Sequence, residues 1–412
     1  MKSATGRWVS GEDFFGREAE LEVLGEHVRA GNHILLTGQR RMGKTSIARE
    51  LGRRLGEEGW IFLFVNTEMA SSGEDVTAQL AEEVHPIQPV ASRLMASMRQ
   101  VLDNVDEVSA AQFRLKVRAG LTAGNWRRYG EGLLRDCGRQ ERRVLIVLDE
   151  LPIFLARLLR DDDGDGRRVD EFLSWLRATF QTMGDQTAVL MVSGSIGLAP
   201  LVGRLGMSDR INYLHPFRVG PWSADASVAC LERLAESHGL ALDEDVAATV
   251  HGKLGLGIPQ HVQSFFAHLR DDAKMQAVDR LTLDAVERVY RSSLLGPWGQ
   301  GDLKHYESRL HDNMDELEYR IAMDMLTEAA TQGTLTSGAR RCLEMLYEAL
   351  DESVEARTGQ VLEVLEHDGY LEATEHGHRF ASKLLGDWWR ARFEHGYVRV
   401  EDRLRQQEKV RR

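Results

Sequence analysis

Two glycines and a Lys-Thr pair stand at the spacing that phosphate binding demands, in Gly38-Gln39-Arg40-Arg41-Met42-Gly43-Lys44-Thr45. Gly38 lets the chain turn tightly after the apolar run His33-Ile34-Leu35-Leu36-Thr37, and Gly43 lets backbone come close to an anion. The loop runs into Ser46-Ile47-Ala48-Arg49-Glu50-Leu51, a helical pattern, so loop N–H groups and the positive end of a helix face one point. In that setting Lys44 reaches the β- and γ-phosphates of a nucleotide, and the Thr45 hydroxyl ligates Mg²⁺.

A second constellation is Asp149-Glu150, at the end of the hydrophobic run Val144-Leu145-Ile146-Val147-Leu148. This is a Walker B pattern: Asp149 holds the Mg²⁺ shell, and Glu150 orients and deprotonates the attacking water. Ser193 and Ser195 follow a comparable run, Ala188 to Val192, where they either sense the γ-phosphate and position water or simply make the turn.

These residues need a scaffold that brings strand ends together. Ile61 to Val65, Val144 to Leu148, Ala188 to Val192 and Ile211 to Leu214 read as strands alternating with helices. Alternation of this kind predicts an α/β fold with a parallel sheet covered on both faces and its functional groups at the carboxyl ends of the strands. A helical insert, about 74–139, interrupts the core, with Pro86 and Pro89 near its start.

From Ser223 the pattern is helical, which predicts a lid. Gly296-Pro297-Trp298-Gly299-Gln300-Gly301 punctuates the chain as a linker. Helices at about Tyr306 to Ala330, Ala339 to Leu350 and Thr358 to His367 then precede a hairpin, Tyr370 to Thr374 with Arg379 to Ala381. Together they predict a C-terminal winged helix-turn-helix. The expected domains are a core at 1–221, a lid at 222–295, a linker at 296–305, a winged helix at 306–400 and a basic tail at 401–412.

The chain has 412 residues and a formal net charge of -12, which gives no general affinity for nucleic acid. Cys137, Cys230 and Cys342 form no CxxC pair, which fits a reduced compartment without structural zinc. No apolar run approaches membrane-helix length and no signal-peptide pattern opens the chain, so a cytoplasmic location is expected.

Several separated motifs resemble the archaeal-type AAA+ ATPases, related to STAND signalling ATPases and origin-recognition initiators. Phe14-Phe15-Gly16-Arg17-Glu18-Ala19-Glu20-Leu21 is similar to that family's F-x-G-R-E-x-E-L box, which places Gly16 and Arg17 beside the adenine. Arg40-Arg41 and Met42, followed by Gly43 to Ser46, resemble its version of the phosphate loop. Asp149-Glu150-Leu151-Pro152 and Ser193-Gly194-Ser195 resemble its Walker B and sensor 1 segments. Gly257-Ile258-Pro259 resembles its Gly-x-Pro lid motif near the nucleotide.

The resemblance implies a P-loop NTPase with five strands in the order 5-1-4-3-2, a helical lid, a terminal winged helix, and ATP with Mg²⁺ as cofactors. It also implies an arginine finger near Ser208-Asp209-Arg210-Ile211. Arg210 is one candidate there, and Arg204 competes with it.

The charge of the last region argues against reading DNA. Between Tyr319 and Val400 acidic residues outnumber lysines and arginines by 14 to 9, and phosphate neutralisation is the main source of DNA affinity. The expected function is an ATP-hydrolysing switch whose nucleotide state controls contact with a protein partner or self-association. The alternative is a DNA-binding initiator or loader that uses the wing residues Arg379 and Lys383, with Arg390, Arg392, Arg403, Arg405, Lys409, Arg411 and Arg412.

Overall fold

The computed structural model describes residues 1, 6–98, 109–162, 164–183, 187–194, 197–296 and 300–411. Part of the expected insert, all of Pro297-Trp298-Gly299 in the expected linker, Ser195 and Arg412 lie outside them. The chain divides into two compact units, Trp8–Val219 and Met1–Arg7 with Gly220–Arg412.

The first unit is built on one parallel sheet. After α1 (Glu18–Arg29), β1 (Ile34–Thr37) leads through the glycine loop into α2 (Lys44–Glu57) and β2 (Ile61–Asn66). Among the described residues four helices follow: α3 (Gly73–Val84), α4 (Gln88–Ser97), α5 (Ala110–Gly120) and α6 (Trp126–Gly138). Then come β3 (Val144–Asp149), α7 (Leu151–Asp161), α8 (Arg167–Thr182), β4 (Ala188–Ser193), α9 (Leu198–Arg204) and β5 (His215–Arg218).

The strand order is β2-β3-β4-β1-β5, the expected 5-1-4-3-2 read from the other edge. Every residue of β3 and β4 is buried, which is why both read as continuous apolar runs rather than alternating ones. The register pairs Asn66 with Asp149 and Leu36 with Ser193, so the strands end together along one edge.

The fifth strand differs from expectation. Ile211 and Leu214 are buried turn residues, and the strand is the following His215–Arg218. Its hydrogen bonds run to β1 alone, so Pro216, lacking an N–H, is tolerated on this edge. Its exposed His215, Pro216 and Arg218 hide it from any search for apolar runs.

The second unit is mainly helical. Helices α10 (Ala224–Ser237), α11 (Val246–Leu254), α12 (Pro259–Met275) and α13 (Leu283–Val289) enclose a short parallel pair, β6 (Ala241–Leu242) and β7 (Arg280–Leu281). Beyond them lie α14 (Gln300–Asn313), α15 (Glu316–Gln332), α16 (Ser337–Tyr347) and α17 (Val354–His367). An antiparallel hairpin, β8 (Leu371–Thr374) and β9 (Gly377–Phe380), follows, then α18 (Lys383–Phe393) and α19 (Val400–Arg411).

The helix expected from Tyr306 to Ala330 is therefore two. Asp315 breaks it with a capping box: its carboxylate accepts from the N–H groups of Leu317 and Glu318, and Glu318 accepts from the Asp315 N–H. The expected tail is a helix, in which Arg403 reaches Asp324 on α15 at 2.8 Å.

Candidate nucleotide-binding site

The loop between β1 and α2 has the backbone its sequence demands. Gly38 has φ 142°, and a Cβ there would stand 2.4 Å from the Val219 carbonyl oxygen, so only glycine fits. Arg41 and Gly43 are left-handed, at φ 69° and 86°, and Gly43 caps the start of α2. Left-handed residues within such a loop turn backbone N–H groups into an anion-binding concavity. Met42, 1% exposed, anchors the loop in the core, while Arg40 and Arg41 are half-buried.

Lys44 is buried and donates to the carbonyls of Gly38 at 2.7 Å and Gln39 at 2.9 Å. The first turn of α2 contains no acidic residue, so nothing there offsets the positive end of the helix dipole.

Asp149 lies at the end of β3 and is 3% exposed. One carboxylate oxygen accepts from the Thr45 hydroxyl at 2.8 Å, and the other accepts from Ser193 on the neighbouring strand. Burial pushes the Asp149 carboxyl above its ordinary pKa and Glu150 adds to this, while the two hydroxyls and Lys44 pull it down. The backbone carbonyl of Asp149 accepts from both the N–H and the hydroxyl of buried Thr67, each at 2.9 Å. This brace was not evident in the sequence; its only signal was a polar pair, Asn66-Thr67, directly after an apolar strand.

Glu150 is left-handed, at φ 56°, and caps α7, whose Pro152 packs where Gly194 leaves room. Such a conformation costs a non-glycine residue about 1–3 kcal/mol and persists where surrounding structure enforces it.

The remaining expected site residues are placed as follows. Arg17 is 3% exposed, pairs with Glu20 at 2.6 Å and donates to the Met42 carbonyl at 3.3 Å, while Gly16 is left-handed at φ 68°. This brings the N-terminal box onto the phosphate loop. The Ser46 hydroxyl accepts from the Val9 N–H at 3.1 Å. Arg210 is held by Asp170 at 2.6 Å and Asp209 at 2.5 Å, while Arg204 is exposed. Pro259 opens α12 in the other unit.

The donor set fits a Mg²⁺-bound triphosphate. Thr45 and Asp149 supply hard oxygen ligands, Lys44 a point charge, and the loop a concavity. Mg²⁺ takes one or two protein carboxylates and completes its shell with substrate phosphates and water; among the described residues no group of three or more His, Cys, Asp or Glu is placed to hold a metal.

The family comparison agrees with that chemistry: residues 13–192 match the AAA ATPase domain family. This stretch is an AAA ATPase domain. The enzyme class expected from the sequence, an ATPase, stands on it, and ATPases of this kind use ATP with Mg²⁺.

Two solved structures share the fold along nearly the whole chain. A Walker-type ATPase of Pyrococcus abyssi is 18% identical with a TM-score of 0.62, covering 95% of this chain and 100% of its own. The ORC2 protein of Aeropyrum pernix, solved as ADPNP and ADP complexes, is 14% identical with a TM-score of 0.57, covering 97% and 98%. No curated protein matches the chain. Among the described residues no helix is long and apolar enough to cross a membrane.

Proposed function

We propose that this AAA ATPase is a nucleotide-driven switch whose ATP state controls contact with a protein partner or with further copies of itself. The observation that carries the chemistry is Asp149 held by Thr45 and Ser193, with Glu150 beside it in a left-handed turn. Lys44 neutralises the β- and γ-phosphates, exchanging its loop carbonyls for phosphate oxygens. Thr45 and Asp149 would hold the metal, and Ser193 fixes the Asp149 carboxylate. Mg²⁺, when bound, neutralises charge developing on the phosphate oxygens. Glu150 takes the proton of the attacking water, and Gly16 and Arg17, at the N-terminal box, would border the base. Arg210 would serve as a finger only in an assembly that draws it away from Asp170.

The C-terminal helices and hairpin support a winged-helix reading with a protein-directed output. Several of the basic side chains that would bind DNA are engaged within the unit: Arg379 with Glu372 at 2.7 Å, Lys383 with Asp387, and Arg392 with Glu307 at 3.0 Å. Arg403 is held by Asp324, and Arg390 donates to the Ala330 carbonyl at 2.6 Å. Arg357, on the helix that would enter a major groove, is bound to Asp315 and Asp351. DNA binding through these side chains would have to break the pairs before they could neutralise a phosphate. Mobility-shift titrations test the choice: the expected result is no tight duplex binding, and strong binding that weakens with salt and disappears on charge reversal of Arg403 and Arg405 would favour a DNA-bound initiator.

A further inference from the structure

Ser46, Arg49 and Glu50 stand at i, i+3 and i+4 on α2 and so share one face of the helix that carries Lys44 and Thr45. Ile47, Ala48, Leu51 and Leu55 on the same helix are buried in the core. The face bearing Ser46, Arg49 and Glu50 receives the segment that precedes α1. The Val9 N–H donates to Ser46 Oγ at 3.1 Å, and the Gly11 N–H donates to Glu50 Oε2 at 2.8 Å. The Arg49 guanidinium lies 4.2 Å from the Trp8 ring centre and 3.8 Å from that of Phe64. At its far end the segment touches the loop itself, through Arg17 on the Met42 carbonyl. Residues 8–17 form a strap fastened to the phosphate loop and to its helix.

Glu50 is the most engaged of these anchors. It is 2% exposed, and besides Gly11 its carboxylate accepts from Arg53 at 2.8 Å and Arg54 at 2.9 Å. Although burial acts to raise it, these donors hold its carboxyl down at about 2, against an ordinary 4.5. Nothing in the phosphate chemistry above requires this residue.

The chain also leaves this unit beside the loop. Val219 is its last residue before Gly220 opens the second unit, and the Val219 N–H donates to the Thr37 carbonyl at 2.8 Å while its own carbonyl crowds Gly38. The strap and this exit both bear on residues that fix the phosphate loop or its helix.

We propose that Glu50 is a positioning residue that fastens the Trp8–Arg17 strap to the phosphate-loop helix, setting how tightly ATP is held without entering the hydrolytic step. The inference rests on the nucleotide-site reading above. Releasing the strap removes the Arg17 brace from Met42, and a loop that must be ordered on binding loses affinity. Thr45 on α2 is one donor to Asp149, but Thr67, Ser193 and the turn into α7 hold Asp149 and Glu150 from outside the strap, so the chemical step keeps its geometry.

Steady-state ATP hydrolysis by the full chain tests this with Glu50→Ala, Glu50→Gln and Trp8→Ala. Glu50→Ala should raise KM about tenfold with kcat within about twofold of wild type. Glu50→Gln keeps an oxygen that accepts from Gly11 and should raise KM less; Trp8→Ala, which removes only a half-exposed ring, should raise it about threefold. The increase for Glu50→Ala should be constant from about pH 6 to about pH 9, because the wild-type carboxylate stays ionised there.

A fall in kcat at unchanged KM would overturn the assignment, as would a glutamine variant as impaired as the alanine one. Should Glu50→Ala fail to fold, unchanged KM in both other variants overturns it. Lys44→Ala separates the two levels: loss of ATP binding there upholds the nucleotide site whatever Glu50 does, and retained binding rejects the site itself.

Discussion

The carboxyl edge of the sheet and the C-terminal helices are both rich in charge, but they hold it differently. At the sheet edge Asp149 takes hydroxyl donors from Thr45 and Ser193, and Lys44 rests on backbone carbonyls. In the C-terminal helices and hairpin Arg357, Arg379, Arg392 and Arg403 are each matched to carboxylates. A charge hydrogen-bonded to neutral dipoles keeps more of its field for a ligand than one whose hydrogen bonds go to an opposite charge, although Lys44 also acts on Asp149 through space. The contrast locates ligand chemistry in one region and self-contained architecture in the other.

The largest effect that can break this contrast is at Lys44. A ligand present at 100 times its Kd stabilises a fold by about 2.7 kcal/mol, and Lys44→Ala should abolish that gain in a thermal-shift titration with ATP and Mg²⁺. An undiminished shift would mean that the loop is not the anion site.

Next in size is Glu150→Gln, expected to lower phosphate release at least about 100-fold while ATP still stabilises the protein. Release at the wild-type rate would move the base elsewhere or indicate a nucleotide-locked scaffold.

A smaller loss, about tenfold in turnover at limiting Mg²⁺, is expected for Ser193→Ala, because Asp149 keeps Thr45 but loses its second orienting donor. Recovery at high Mg²⁺ would sharpen the assignment to metal binding.

In the other region, Arg403→Ala should lower stability by about 1.5 kcal/mol in denaturant melts, the scale of a charged hydrogen bond between partly buried side chains, and should leave ATP hydrolysis unchanged.

Acid titration separates the regions once more. The Glu50 carboxyl lies below its unfolded value, so its stabilisation is complete above about 4.5 and is lost as pH falls toward about 2. The stability difference between wild type and Glu50→Gln should shrink across that window, and a difference that stays constant would contradict the strap's ionic anchoring.

Much of this was legible in the sequence for physical reasons. Strands β3 and β4 announce themselves because the inner strands of a covered parallel sheet are apolar on both faces, the edge strand β2 because its residues Ile61 to Val65 are apolar, and the glycine loop because its backbone admits few residue types. The edge strand β5 did not, since pairing on one side leaves His215, Pro216 and Arg218 exposed. The Asp315 cap was written in the sequence as Asp-x-x-Glu but sat inside an otherwise unbroken helical pattern. Thr67 and Glu50 stayed hidden because their roles depend on register and on a distant segment, Asp149 for one and Gly11 for the other. No local pattern records such partners.

The central claim is that ATP in the Gly38–Thr45 loop governs a contact between proteins. Light-scattering mass of Glu150→Gln, copurified with whatever it holds and measured with and without ATP and Mg²⁺, tests it most directly. A nucleotide-dependent change in mass that is absent in Lys44→Ala is the predicted result. An identical mass in both nucleotide conditions, in a protein shown to bind ATP, would contradict it.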